Sequence, residues 1–146
     1  MSFETLPENW PTLPLDDPHL LADVVDLVVG ERDRSDGCVG LLLLDDGMRL
    51  AQPCVVGEVP DDADPADFVA FLDQVAAMVH DAGGAVAFVR GRDGAGRLTD
   101  ADRAWHEAVL AGCRRADVRL LGAFLATPSG VRTYPEPLAA DEALAS

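Results

Sequence analysis

Three arginines and three glycines crowd one short stretch of a strongly acidic chain. Within RGRDGAGRLT, Arg90, Arg92 and Arg97 stand against a single Asp93, whereas the 146-residue chain as a whole carries a formal charge of −15. A local reversal of sign on that background is the chemistry of an anion site. Guanidinium groups donate charge-assisted hydrogen bonds, and Gly91, Gly94 and Gly96 let backbone N–H groups come close to a ligand. Thr99 follows at once as a helix start, whose positive end would face the same space. The expected anion-binding set is therefore Arg90, Gly91, Arg92, Gly94, Arg97 and Thr99. The plainer alternative is that the arginines neutralise nearby aspartates on a solvated loop, since the glycine spacing fits neither the phosphate-loop nor the dinucleotide pattern.

A second constellation is Asp102, His106 and Cys113, which helical spacing puts along the edge of one face. A metal site rebuilt from these side chains is the enzyme-class alternative. Against it, Asp102 has a sufficient role in capping, and a cysteine at that spacing packs. His19 and His80 stand near helix ends with no partner in view, and Ser129 in Thr127-Pro128-Ser129-Gly130 lacks the strand-to-helix setting of a nucleophile elbow. No catalytic residue and no cofactor are assigned.

The elements that must position these residues follow from periodicity. Residues 85–89 are a short apolar run between glycines, read as an interior strand, and Thr99 with Asp102 three positions later opens a helix as a capping box. Ala101, Trp105, Ala108, Gly112 and Ala116 mark the inward stripe expected of that helix. Upstream, Asp17-Pro18 starts a helix with Leu20, Leu21, Val24, Val25 and Val28 on one stripe, and ERDRSDG after Gly30 is a polar loop. Residues 38–44 and 48–56 form a hairpin about Asp45-Asp46-Gly47. Asp64-Pro65 opens a helix with Phe68, Phe71, Leu72, Val75, Ala76 and Val79 inward, and residues 118–127 and 131–134 are further strands. The expected fold is mixed α+β, in the order α-β-β-α-β-α-β-β, with helices against a sheet. Residues 1–17 read as an extended proline-rich arm, 18–134 as one domain and 135–146 as a loose tail.

Composition bounds the function. Apolar residues make up 49% of the chain, enough for a core, and all 11 basic residues are arginine. The net charge opposes direct binding to nucleic acid or anionic lipid. Cys38, Cys54 and Cys113 are widely spaced and odd in number, which indicates neither a disulfide framework nor a zinc knuckle. With no basic leader and no apolar run near the roughly 18 residues of a membrane span, the expected location is cytoplasmic.

Loop and element order together resemble the JAB/MPN metalloprotease fold, and within it the RadC-type bacterial branch. There the corresponding strand ends in His-x-His-Pro-Ser-Gly, and Ser-x-x-Asp opens the next helix. Here the stretch is Val89-Arg90-Gly91-Arg92-Asp93-Gly94, followed with no change of length by Thr99-Asp100-Ala101-Asp102. Gly94 stands at the motif glycine, Thr99 at the serine and Asp102 at the third metal ligand, while Val89 and Gly91 stand at the two histidines. The likeness covers residues 37–134. It implies a JAB/MPN-like central mixed sheet, and it implies that the family's hydrolytic chemistry is absent, because catalytic zinc normally takes three protein ligands and these two positions offer no donor atom. The expected function is then a non-catalytic domain that binds a protein partner or a small anionic ligand at the loop. A third reading is an acidic adaptor or nucleic-acid mimic, which would require the carboxylates of Asp61, Asp62, Asp64 and Asp67 to be clustered.

Overall fold

The computed structural model describes residues 6–135. A five-stranded mixed sheet divides two apolar layers. Its strands are β1 (Cys38–Leu44), β2 (Leu50–Gly57), β3 (Ala85–Gly91), β4 (Arg119–Thr127) and β5 (Gly130–Thr133), in spatial order β2-β1-β3-β4-β5. Only β3 and β4 run parallel; the other neighbours are antiparallel. The helices are α1 (Pro18–Val28), α2 (Glu31–Asp36), α3 (Ala66–Asp81) and α4 (Asp100–Ala116).

Strand alternation assigns the two layers. Val86 and Phe88 of β3 face α3 and α4, where they join Phe68, Leu72, Trp105 and Val109. Ala85, Ala87 and Val89 face the other way, into a cluster with Leu21, Val24 and Val25 of α1. The helix α4 is the crossover between parallel β3 and β4, so the loop of residues 92–99 emerges at the carboxyl end of β3, where open α/β sheets place their ligands.

Mixed α+β architecture, the β1–β2 hairpin and the helices from Pro18, near Pro65 and from Asp100 accord with the sequence reading. Three points differ. ERDRSDG is not a loop but mostly the short helix α2, which has no apolar stripe to announce it. It is tied down by Arg34, which is buried and donates to the carbonyls of Val29, Asp26 and Thr127 and to the Asp26 carboxylate at 2.8 Å. The arm is not simply extended either: Trp10–Thr12 form one 3-10 turn, and Leu15 is fully buried, with its N–H on the Met48 carbonyl. Finally, the inward stripe of α4 is Asp102, Trp105, Val109, Gly112 and Cys113, whereas Ala101 is exposed and Ala108 half-buried. Residues 1–5 of the expected arm and 136–146 of the expected tail lie outside the described residues. Among the described residues no helix is long and apolar enough to cross a membrane.

Candidate functional site

A carboxylate on the inward face of a helix needs a partner of opposite charge, because burying it alone costs several kcal/mol. Asp102 is 1% exposed. Its partner is Arg92, which leaves the end of β3 with its own backbone N–H on the Ala126 carbonyl. Arg92 Nε lies 2.9 Å from Asp102 Oδ1 and Nη2 lies 2.8 Å from Oδ2, the two-pronged geometry that guanidinium and carboxylate favour. The remaining N–H groups of Arg92 donate to the carbonyls of Asp93, Ala95 and Arg97 at 2.8–2.9 Å. All five donors of this guanidinium are therefore used within the protein.

The same carboxylate completes the start of α4. Asp102 Oδ2 accepts from the Thr99 N–H at 2.9 Å, and Thr99 Oγ1 accepts from the Asp102 N–H at 3.1 Å, as the capping box required. Burial pushes the Asp102 carboxyl up, but the Arg92 hydrogen bonds and the Thr99 N–H outweigh it and hold it below the usual carboxylate range. Hydrogen bonds to Asp102 raise Arg92 above the ordinary arginine value. Gly94, at φ +93°, takes the left-handed turn that lets the loop wrap around Arg92.

Arg90 points to the opposite layer from Val89 and Gly91 and is 1% exposed. It lies over Trp105, with its guanidinium carbon 5.5 Å from the ring centroid. Its donors reach the carbonyls of Cys38, Val59 and Pro60 and the Asp61 carboxylate at 3.2–3.4 Å, which fastens the segment after β2 to the sheet. Burial lowers its proton affinity, partly offset by Asp61. Arg97 is exposed. The three arginines thus differ in their surroundings: Arg90 and Arg92 are buried and donate to protein acceptors, whereas Arg97 is exposed.

Gly91 is required by close approach, for a Cβ there would run into Cys38 Sγ. Val89 is fully buried in the α1 layer. The other metal alternative, built from Asp102, His106 and Cys113, is not assembled: Asp102 is held by Arg92, His106 packs at a tilt against Tyr134 with ring centroids 4.7 Å apart, and Cys113 lies in the core with its thiol pushed up to about 11 by burial. Burial lowers His106 below its ordinary value. Among the described residues no group of three His, Cys, Asp or Glu side chains is placed to hold a metal ion. His19 is exposed beyond the Asp17 cap, and His80 Nδ1 lies 3.0 Å from the Asp117 carbonyl.

Sequence reasoning missed the groove that lies on the far side of Arg90. It opens between the end of β2 and the start of α3, has a volume of about 480 Å³, and is walled by Val39, Val59, Phe68, Phe71 and Trp105, with Glu58, Asp64 and Asp67 also lining it. Asp61, Asp62, Asp64 and Asp67 are all exposed along that loop and first turn; Asp64 and Asp67 line the groove, while Asp61 pairs with Arg90. The signal for the groove in the sequence was Phe68 and Phe71, one helical turn apart beside an acidic run; nothing there indicated that α3 would leave its first turn uncovered. No family model matches the chain, and no curated protein matches it.

Proposed function

We propose that this chain is a JAB/MPN-like domain of the RadC type in which an arginine takes over the metal's partner, and that it acts by binding, without hydrolytic chemistry. The observation that carries the reading is the Arg92–Asp102 pair. Asp102 stands where the resemblance puts the third ligand, and both of its oxygens already accept from Arg92 at 2.8–3.1 Å. The donor set does not fit a zinc ion: Val89 and Gly91 bring no donor atom, and a side chain at Gly91 would meet Cys38 Sγ. A guanidinium in this role supplies the positive charge that keeps Asp102 ionised, and so available to cap α4 together with Thr99, but it has no open coordination position and activates no water. A rigid, charge-satisfied loop at the mouth of a sheet is a scaffold on which neighbouring surface can bind.

Protein purified from zinc-supplemented culture is expected to carry far less than one zinc per chain by elemental analysis, and Asp102→Ala or His106→Ala is expected to leave that content unchanged. One tightly held zinc per chain, lost in either variant, would replace this reading with the rebuilt-site hydrolase.

A further inference from the structure

The groove beside β2 is apolar inside and acidic at its mouth. Its volume of about 480 Å³ falls in the range of roughly 300–1,000 Å³ typical of binding clefts. None of its lining residues is basic, and Arg90, the arginine beneath it, is buried with its guanidinium on the Val59 and Pro60 carbonyls. Among the described residues the sheet edge alongside is open, since β2 has β1 as its one neighbour. Val56 on that edge is 51% exposed, a large apolar side chain left in water next to an apolar cleft. Pro53 interrupts the edge farther along, so the stretch free to pair with another chain is the one that runs into the groove.

We propose that this groove docks an extended segment of a partner protein, with an apolar anchor side chain flanked by lysine or arginine. The proposal rests on the binding-module reading above and gives that partner its chemistry. The anchor packs into the cleft lined by Phe68, Phe71 and Trp105, the backbone runs along the open edge beside Val56, and the cations face Glu58 and Asp67. Charge decides against the nearest alternatives. A second copy brings another −15, and the chain's own end after Pro135 carries Glu136, Asp141 and Glu142 with no basic residue.

The test titrates the blocked peptide Ac-Lys-Val-Lys-Phe-Lys-Val-NH2 into the ¹⁵N-labelled full chain, beside a version with glutamate in place of each lysine. The lysine peptide is expected to shift the Val56, Val59 and Phe68 amides and the Trp105 indole saturably, with affinity falling as salt rises. Glu58→Lys combined with Asp67→Lys changes two exposed side chains and is expected to weaken binding at least tenfold, with the fold unchanged by circular dichroism. The glutamate peptide is expected to shift nothing. The proposal is overturned by a silent groove, by equal response to both peptides, or by groove shifts that follow protein concentration without peptide, which would give this face to a second copy. Zinc is measured in the same sample: stoichiometric metal defeats the binding-module reading, whereas a silent groove in metal-free protein defeats the docking proposal alone.

Discussion

Arg92→Ala is expected to destabilise the fold by about 3–5 kcal/mol, the usual cost of removing one member of a buried ion pair and leaving the other charge unpaired. The abandoned group is Asp102, 1% exposed, and the same change strips the carbonyls of Asp93, Ala95 and Arg97 of their donor. Asp102→Ala should do comparable damage from the other side and additionally removes half of the capping box. Replacing both together, as Arg92→Met with Asp102→Leu, should cost less than the two single changes summed, because no orphaned charge remains; additive losses in denaturant unfolding would mean that the two groups do not act as a pair. The pH dependence follows from the same contact. Asp102 has a folded value below its ordinary 3.8, so its contribution is fully present above that value and is lost as the pH falls through the folded one. Acid unfolding of wild type should therefore be shifted to lower pH than in a variant with Asp102→Asn, and coincident acid midpoints would count against the linkage.

The second large effect is expected at Phe88→Ala, about 3–5 kcal/mol by loss of a buried aromatic and the cavity left behind. Phe88 is fully buried in mid-sheet and meets three other rings, Phe68 at 5.6 Å, Trp105 at 6.3 Å and Tyr134 at 6.5 Å between centroids. Trp105 in turn carries Arg90 and walls the groove. The loss should thus appear as lowered thermal stability and as faster exchange of the Val59 amide. A change below about 1 kcal/mol would mean that the site collapses around the missing ring, and that the groove wall does not depend on it.

Much of the scaffold was legible because its signals are periodic. The bounds of β1 coincide with the apolar run that announced it, and the capping box of α4 formed between the residues named for it. β3 runs two residues past its expected end at Val89, because Arg90 looks like a boundary in sequence yet is buried there. α2 was invisible for the opposite reason: its residues are polar, and Arg34 holds it through the nearby Val29 carbonyl and the Thr127 carbonyl, which is distant in the chain. At the site, the sequence revealed the excess of arginine but not its destination. A cation facing a ligand and a cation facing a carboxylate ten residues on have the same local composition. The discriminating signal was the phase of α4, for Asp102 lies three residues before Trp105 on the inward stripe, and an inward carboxylate calls for an internal cation. The groove depends on how α3 sits against β2, a tertiary relation that local pattern does not encode.

The central claim, that the Arg92 guanidinium saturates the buried Asp102 carboxylate, is open to direct observation through the arginine side-chain resonances of ¹⁵N-labelled protein, recorded before and after one equivalent of zinc. Arg92 Nε–H, buried and 2.9 Å from Asp102 Oδ1, should give a slowly exchanging signal that is assigned by its loss in Arg92→Lys and is unmoved by zinc. An Arg92 signal in fast exchange with water, or one displaced stoichiometrically by the metal, would contradict the account.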